Sequence, residues 1–441
     1  MPSVPLFSVA SPLFRGGRLF GLGHSYYAVS QTLSSSFYED LLCRGWRRSG
    51  TLLYKPDQRV SCCPHYTIRL DASAFRPSKD QRQALNRFNR YVLGDSYIKE
   101  SARLRPKTRA GAARRKCEFD LLERVHECEL HSVETPPEPA HELSVTLESN
   151  AYTEEKFVLF ENYQRIVHKE SPNRITKAGF RSFLCTSPLK PVTTQVSGHT
   201  RRLGSYHQCY RLDGVLVALG VLDLLPDSIS SVYFMYHESI HAWSPGKLSA
   251  LREAALTMES GRSWYMMGYY IHTCPKMRYK GDFHPQYVQD PENYAWDLLD
   301  DDLRRRLDAR KYVSLSRERS EGVAASIPEV SSDQAQIEPN EMEIEQTSVD
   351  YDTDDSDGDV AGVPLSELNM PGIISRAELL SSNILDHIRL RIRSNPVVET
   401  SDLVIWESSD IDDPLSVKGK IADLVAAVGL DCAQRMIVDF G

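Results

Sequence analysis

The stretch that most constrains the fold runs over residues 205–271, where strand-like runs and turn signals follow one another closely. "YRLDGVLVAL" predicts a β-hairpin, because Asp213-Gly214 suits a tight turn between two β-rich runs. "SSVYFMYH" predicts a third strand, "SPGKLSALREAALTME" predicts a helix that begins at a breaker pair, and "WYMMGYYI" predicts a fourth strand. The order strand, strand, strand, helix, strand indicates an α+β fold class.

Two modules are predicted around this stretch. Residues 26–96 are rich in aromatics and short apolar runs, and they end in a segment with apolar side chains at helical spacing. Residues 151–312 begin with "TEEKFVLFENYQRIVHKE", which has an apolar helical stripe and an acidic start that suits a helix N-terminus. We therefore predict a smaller N-terminal α+β domain and a larger second domain.

The remaining segments have compositions of their own. Residues 1–25 are predicted to be a disordered or altered leader, with a targeting peptide as the alternative. Residues 97–150 are polar, first basic and then rich in Glu and Pro, and predict a linker with one helix around "CEFDLLERVHECEL". Residues 313–362 are too acidic and too poor in apolar residues to fold, and residues 363–441 have helical periodicity.

Charge and cysteine content exclude several classes of protein. The net charge of −8 argues against a general nucleic-acid binder. The charge is segregated, with seven basic residues in 101–116 and eleven acidic residues in 331–359. Nine cysteines, odd in number and unevenly spaced, indicate a reducing compartment. No apolar run reaches the roughly 20 residues of a membrane helix, so we expect a cytoplasmic protein without a membrane partner, with the nucleus as a second compartment.

The predicted topology has a chemical implication. Three strands, a Gly-containing turn, a helix and a fourth strand are the means by which N-acetyltransferase-like folds present an acyl donor to an incoming amine. Many α+β domains share this order, so an ordinary mixed-sheet core is the alternative.

Cations and aromatics alternate in the segment after the fourth strand, "GYYIHTCPKMRYKGDFHP". Lys276, Arg278 and Lys280 are interleaved with aromatic residues such as Tyr279. This pattern suits a single-stranded nucleic-acid end, because phosphates pair with cations and bases stack on rings. A solvated basic loop is the alternative.

Longer motifs resemble a known family. "LLCRGWRRSGTLLYKP", "SCCPHYTIRL" and "FRPSKDQR" resemble the N-terminal domain of eukaryotic, fungal-type arginyl-tRNA–protein transferases. "FENYQRIVHKE", "FLCTSPL", "SYHQCYRLDGVLVALGVLDLLPDSISSVYFMY", "GKLSALREAALT" and "WYMMGYYIHTCPKMRYKG" resemble the C-terminal domain of that family. The resemblance covers roughly residues 26–93 and 152–298.

The resemblance implies a fold and an activity. The second domain would be an N-acetyltransferase-like catalytic domain. It would transfer arginine from arginyl-tRNA to the N-terminal amine of proteins that begin with Asp or Glu, with oxidised Cys as a further acceptor. The product would be a degradation signal, so components of the ubiquitin pathway are implied as partners besides arginyl-tRNA and the acceptor proteins.

The reaction is the aminolysis of an activated ester. The acceptor amine has an ordinary pKa of about 7.7–8.0, so a neutral fraction exists near neutral pH and little base strength is needed. The larger contribution should come from holding the amine and the ester together and from donors to the developing oxyanion. We therefore expect no covalent enzyme intermediate, no Ser-His-Asp triad and no cofactor that catalysis requires.

Candidate residues follow from the charges that the substrates carry, and each has a structural role as its alternative. Proton transfer is assigned to three side chains, His207, Tyr233 and His272. The acceptor carboxylate is assigned to cations, namely Arg211, Arg252 and Lys276. The guanidinium of the donor arginine is assigned to two acids, Asp223 and Glu253. The tRNA end is assigned to Lys276, Arg278, Tyr279 and Lys280.

The adjacent thiols Cys62 and Cys63 are candidate metal ligands. The resemblance implies an upstream Cys-x-x-Cys element, whose four thiols together would bind an iron–sulfur cluster or zinc. The corresponding region of this chain has no cysteine. His24, Cys43 or His65 would have to complete the set, and we expect an incomplete metal site.

Two other functions stay open at this point. One is a catalytically inactive tRNA-binding or regulatory homologue, against which the intact "YRLDG" and "CPKMRYKG" runs argue. The other is a transferase for another aminoacyl group, such as leucyl or phenylalanyl, which would need an apolar donor pocket in place of acids.

Overall fold

The computed structural model describes residues 5–8, 25–196, 199–322, 364–392 and 396–440. Most of the predicted leader, including His24, and most of the predicted acidic segment lie outside these ranges.

The described strands and helices are named in chain order. The strands are β1 (Leu6–Ser8), β2 (Ser25–Thr32), β3 (Arg47–Ser49), β4 (Leu52–Pro56), β5 (Tyr66–Asp71), β6 (Leu143–Ser149), β7 (Val192–Val196), β8 (His199–Leu212), β9 (Val215–Leu224), β10 (Ser228–Tyr236), β11 (Trp264–Tyr270), β12 (Gln286–Gln289), β13 (Trp296–Leu298), β14 (Arg389–Ile392), β15 (Val398–Glu399) and β16 (Ile437–Phe440). The α-helices are α1 (Ser35–Leu42), α2 (Lys79–Leu93), α3 (Asp95–Leu104), α4 (Arg109–Cys117), α5 (Leu121–His126), α6 (Glu154–Val167), α7 (Lys177–Phe180), α8 (Pro245–Glu259), α9 (Pro275–Arg278), α10 (Asp301–Ala309), α11 (Leu315–Ser320), α12 (Arg376–Ser381), α13 (Val417–Val428) and α14 (Leu430–Ala433).

Both ends of the chain contribute to one sheet. Its seven described strands lie in the order β15-β14-β16-β1-β2-β4-β3. β1 pairs in parallel with β16, so that Leu6 faces Ile437. Trp46 is fully buried, and its Nε1 donates to the carbonyl oxygen of Ala427 in α13 at 3.2 Å. The C-terminal segment therefore completes the core of the N-terminal module.

The prediction of a helical segment over residues 363–441 is correct only in part. Three helices, α12 to α14, are present, but β14, β15 and β16 are also present. These strands are two to four residues long. Such short apolar runs do not distinguish a strand from a turn of helix by periodicity.

The predicted disorder does not begin at residue 313. Val313 and Ser314 are buried, and α11 follows them directly. The Ser314 hydroxyl donates to the Asp290 carboxylate at 3.1 Å and caps α11 by accepting from the Arg317 amide. This cap and the burial of Val313 order the segment despite its polar composition.

The larger sheet contains the predicted unit. Its described strands lie in the order β13-β12-β5-β11-β10-β9-β8-β6, with β7 paired to β8. The predicted hairpin is confirmed as β8 and β9, and Asp213 and Gly214 both have positive φ, as its tight turn requires. The predicted third strand, helix and fourth strand are β10, α8 and β11.

Two strands of this sheet come from outside the predicted second domain. β5 belongs to the segment predicted as the N-terminal domain, and it lies between β11 and β12. β6 belongs to the predicted linker and pairs with β8. The predicted linker helix is α5, with α3 and α4 before it. The N-terminal and C-terminal modules therefore share this sheet.

The point at which β10 and β11 separate positions the site. The two strands run parallel and pair only where Ser228–Ser230 meets Trp264–Met266. β10 then shifts register between Ser231 and Tyr233, and β11 shifts between Met266 and Tyr269. A bulge bends and twists its strand, so the two strands diverge toward their carboxyl ends. None of the described helices is long and apolar enough to cross a membrane.

Candidate functional site

Residues from several elements lie close together where β10 and β11 diverge. We call this region the splay cleft and define it by Ser231, Glu253, Gly268, Tyr279 and Lys280. Gly268 has φ +80°, and a Cβ at this position would lie 3.6 Å from the Ser231 carbonyl oxygen and 3.7 Å from Lys280 Nζ. A Cβ at Gly246, at the start of α8, would lie 3.4 Å from the Tyr279 hydroxyl. The cleft therefore joins the open ends of the strands to the N-terminus of α8.

Glu253 is a fully buried acid on the α8 side of the cleft. The Tyr265 hydroxyl donates to its Oε2 at 2.6 Å, and the Ser249 hydroxyl donates to its Oε1. Burial raises the pKa of Glu253 above its ordinary value, although these donors oppose the shift. A cationic ligand next to this carboxyl would offset the cost of charging it.

Lys280 supplies the cation of the cleft. Its Nζ donates to the Tyr269 carbonyl oxygen at 3.1 Å. Burial, with a smaller contribution from the Arg47 cation, lowers the pKa of Lys280 to about 8, although the Glu253 carboxylate opposes the shift. Arg47 lies above the Tyr269 ring, 4.8 Å from its centroid. Lys280 therefore changes charge near neutral pH, where an unperturbed lysine does not.

Aromatic rings line the β10 side of the cleft. Tyr163 of α6 lies 5.1 Å from Tyr236 and 6.1 Å from Tyr233 between ring centroids. The Tyr233 hydroxyl lies 3.4 Å from His168 Nε2. Burial lowers the pKa of His168, and the Lys276 cation adds to that shift. These rings offer flat apolar surfaces beside a cation, which suits a nucleotide base followed by its phosphate.

Five of the predicted residues thus lie in or beside the cleft: Tyr233, Glu253, Lys276, Tyr279 and Lys280. The other predicted residues have partners elsewhere in the structure.

Asp223 holds a guanidinium that belongs to this chain. Arg48 donates to both of its carboxylate oxygens at 2.7 Å, from Nε and Nη2, and the Ser205 hydroxyl donates to Oδ1 at 2.6 Å. The Arg48 and Asp223 side chains are 1% and 0% exposed. The pair joins the two sheets, because β3 lies in one and β9 in the other.

The two predicted histidines have structural partners. His207 is fully buried, its Nε2 lies 3.1 Å from the Leu184 carbonyl oxygen, and burial lowers its pKa to about 4. His272 lies between the Tyr270 hydroxyl, at 2.6 Å from Nδ1, and Asp308 Oδ1, at 2.7 Å from Nε2.

The predicted arginines are engaged in ion pairs. Arg211 contacts Glu148 at 2.6 Å and Glu155 at 2.9 Å near the β6 edge of the sheet. Arg278 contacts Asp308 at 3.3 Å, on an exposed surface. Arg252 contacts Glu129 at 2.7 Å, between α5 and α8.

The residues of the cleft region that the sequence did not predict include Ser231, Tyr163, His168 and Gly268. Tyr163 and His168 lie in "FENYQRIVHKE", which marks a helix with an apolar stripe but does not indicate which residues face the sheet. Gly268 is the only glycine within "WYMMGYYI", and an isolated glycine in a strand is a usable signal of a bulge or a close approach.

The cysteine pair does not form a metal site by ligand geometry. Cys63 lies beside Cys62, Thr273 and Cys274, and burial and the neighbouring thiol raise its pKa. Within the described ranges, neither Cys62 nor Cys63 belongs to a group of three ligand atoms within 4.8 Å of one another. The pKa of the nearby His65 is lowered to about 4 by burial, and its ring packs against Tyr269. Among the described residues, therefore, Cys62 and Cys63 have no third ligand atom at the spacing of a zinc or cluster site.

We predict that Gly268→Ala costs stability and activity together. The positive φ strains any L-residue by about 1–2 kcal/mol, and the added methyl group enters the cleft beside Lys280. Gly214→Ala is the matched control, because Gly214 has φ +81° and no atom within 4 Å of its missing Cβ. Urea unfolding should show similar losses for both variants, whereas only Gly268→Ala should slow the aminoacyl transfer that the sequence resemblance implies. Equal transfer rates would contradict the position of the cleft.

Comparison with known proteins finds similarity to one group of transferases. Residues 155–290 match the family model "Arginine-tRNA-protein transferase, C terminus", and residues 22–83 match "Arginine-tRNA-protein transferase, N terminus". The five residues that define the splay cleft all lie within the first match. The two matches lie on a chain with a mixed α+β fold.

Individual relatives agree with these matches. The chain is 33% identical to arginyl-tRNA–protein transferase 1 of Saccharomyces cerevisiae, over 56% of this chain and 47% of that protein. It is 27% identical to the Drosophila melanogaster protein of the same name, over 67% of this chain and 82% of that protein. An aspartate/glutamate leucyltransferase of Pseudomonas fluorescens is 24% identical, over 61% of this chain and 86% of that protein.

The chain is thus similar to arginyl-tRNA–protein transferases over two separate stretches, residues 22–83 and 155–290. Its match spans about half the length of the yeast relative and about four fifths of the fly relative.

Proposed function

We propose that this chain transfers arginine from arginyl-tRNA to the N-terminal amine of proteins that begin with Asp or Glu. The observation that carries the proposal is the convergence of a buried acid, Glu253, a half-buried lysine, Lys280, and an aromatic wall in one cleft within the region matched by the family model. Oxidised Cys as a third acceptor, a ubiquitin-pathway role and a cytoplasmic or nuclear location follow as parts of the same proposal.

The reaction forms one bond and breaks one. The acceptor nitrogen attacks the arginyl carbonyl carbon, and the ester bond to the 3′-terminal ribose of the tRNA breaks. The ribose oxygen leaves as a hydroxyl and takes up the proton that the nitrogen loses. Negative charge develops on the carbonyl oxygen, so a fixed cation or N–H donor beside that oxygen gives the largest catalytic benefit. Lys280 is the group that we assign to this role.

The donor guanidinium needs an acid, and Glu253 suits it better than Asp223. Both carboxylate oxygens of Asp223 already accept hydrogen bonds from Arg48. Glu253 is buried beside the cleft, with a raised pKa that a guanidinium would lower. Such a charge-assisted contact in a buried site is specific for arginine and would reject a leucyl donor.

The remaining roles follow from position. Tyr233, whose hydroxyl lies next to His168, is our candidate for relaying the proton to the ribose oxygen. Lys276 lies near His168 and is our candidate for the acceptor carboxylate, with Arg278 and Tyr279 for the tRNA end. The catalytic domain would then be N-acetyltransferase-like, since parallel strands that diverge beside a helix N-terminus serve acyl transfer in that fold.

One experiment separates the candidate functions. The protein is incubated with arginyl-tRNA or leucyl-tRNA and a peptide that begins with Asp, and the peptide is then weighed by mass spectrometry. A matched peptide that begins with Asn is the control for the acceptor carboxylate. We expect addition of one arginine to the Asp peptide alone. Addition of leucine would support a transferase for another aminoacyl group, and no addition would support an inactive homologue.

The charge of Lys280 predicts a pH dependence. Its pKa is lowered to about 8, so the ammonium loses its proton as the pH rises through about 8. The transfer rate should therefore fall on the alkaline side of its pH profile. Lys280→Arg keeps a cation there at every accessible pH, since arginine titrates far above this range. We expect Lys280→Arg to be slower than the wild-type chain at pH 7 but to retain a larger fraction of its rate at pH 9. Identical alkaline limbs would show that Lys280 does not titrate in the rate-limiting step.

A further inference from the structure

Two histidines and a glutamate meet between α5 and α8, outside the splay cleft. His126 ends α5, and Glu129 and His131 follow it in the next turn. One ligand atom from each side chain lies within 4.8 Å of the other two, and within the described part of the chain this is the one such group of His, Cys, Asp or Glu residues. Glu129 lies between the two rings and is 1% exposed, whereas His131 is 65% exposed.

The Glu129 carboxylate places one oxygen near each histidine nitrogen, at distances close to the edge of a zinc tetrahedron. Glu129 Oε1 lies 3.3 Å from His126 Nδ1, and Glu129 Oε2 lies 3.5 Å from His131 Nδ1. Zinc bonds to nitrogen and oxygen of about 2.0–2.2 Å give a tetrahedron with edges of about 3.3–3.6 Å. Two imidazoles and one carboxylate are also a common ligand set for zinc that keeps one position open.

A second carboxylate orients the first histidine. Glu259 of α8 contacts His126 Nε2. In the tautomer that donates from Nε2 to this carboxylate, Nδ1 presents its lone pair toward Glu129. Metal-ligating histidines are usually held in this way by an outer carboxylate.

A cationic side chain, that of Arg252, contacts both Glu129 and His126. Its Nη1 lies 2.7 Å from Glu129 Oε1 and 2.9 Å from His126 Nδ1. A metal ion bound by His126 and Glu129 would use the same two lone pairs, so the guanidinium and a metal ion exclude each other. Arg252 can withdraw toward solvent because its side chain is long and partly exposed, at 11%.

We propose that His126, Glu129 and His131 form a Zn²⁺ site, with Glu259 as the outer partner of His126 and with Arg252 as a competitor for its ligands. The site does not depend on the thiols Cys62 and Cys63 or on the transfer reaction.

The test is a zinc titration of the full chain that carries Cys62→Ser and Cys63→Ser, in competition with a chromophoric zinc chelator. We expect one equivalent of Zn²⁺ to bind. His131→Ala should weaken binding at least about tenfold without loss of fold, because this side chain is exposed. Glu259→Ala should weaken it by about 10–100-fold. Arg252→Gln should tighten it, because the competing cation is removed.

A matched control and a second readout complete the test. His387 also pairs with a carboxylate, that of Glu399, but lies in no group of three ligands, so His387→Ala should leave binding unchanged. Co²⁺ in place of Zn²⁺ should give ligand-field absorption without a sulfur charge-transfer band. No saturable binding, equal affinity of His131→Ala and its parent, or weaker binding by Arg252→Gln would overturn the proposal, whatever the transferase activity.

Discussion

Replacement of Arg48 by methionine is expected to lower the free energy of unfolding by about 3–5 kcal/mol. The substitution removes the guanidinium that donates to both Asp223 oxygens at 2.7 Å and leaves a carboxylate that is 0% exposed without its counter-charge. Removing one member of a buried pair costs more than the pair itself contributes, because the remaining charge stays desolvated. The measurement is urea unfolding, followed by circular dichroism.

An exposed pair provides the matched control. Arg103 also donates two hydrogen bonds to one carboxylate, that of Glu100, but both side chains are largely exposed. Arg103→Met should cost roughly 0–1 kcal/mol. A double variant, Arg48→Met with Asp223→Asn, should recover part of the loss because no buried charge remains. If Arg48→Met were as mild as Arg103→Met, the pair would not join the two sheets in the way that its geometry indicates.

Local sequence patterns predicted the central unit of the fold well. The Asp213-Gly214 turn is specified by two adjacent residues that tolerate positive φ, and α8 is specified by its breaker pair and its helix-forming residues. The pairing of β1 with β16 could not be predicted, because it joins residues more than 400 positions apart and both strands are short. The Arg48–Asp223 pair could not be predicted for a similar reason, because its two residues are also far apart in the sequence.

The part of the candidate site that was predictable from the sequence consists of residues directly after a strand. Lys276, Tyr279 and Lys280 lie just after β11, so any cleft at its carboxyl end includes them. Asp223 and Glu253 were indistinguishable as acids in the sequence. Their difference lies in their surroundings, since Arg48 satisfies Asp223, whereas Glu253 has only neutral donors. His207 was assigned for its chemistry, but burial lowers its pKa to about 4, although a hydrogen bond to the Leu184 carbonyl opposes this shift.

Lys280→Met should have the largest effect on transfer. The variant keeps the length of the side chain but removes the only group that we assign to the developing oxyanion. Loss of one such donor lowers kcat by about 10²–10³-fold in other acyl-transfer enzymes. Because the donor is needed in the transition state more than in the bound substrate, KM for arginyl-tRNA should change little. Steady-state kinetics with an Asp-initiated peptide measures both constants.

Lys247→Met is the matched control for Lys280→Met, because Lys247 lies at the start of α8 and pairs with Asp80 near the surface. It should leave kcat and KM near the wild-type values, which separates the loss of a cleft cation from a general loss of positive charge. Desolvation of the half-buried Lys280 lowers its pKa to about 8, which means that folding disfavours its charged form. Lys280→Met should therefore be as stable as the wild-type chain, or more stable, near pH 7. A variant that is stable and inactive would place Lys280 in the chemistry of transfer. A variant with an unchanged kcat and a raised KM would instead assign Lys280 to the binding of tRNA.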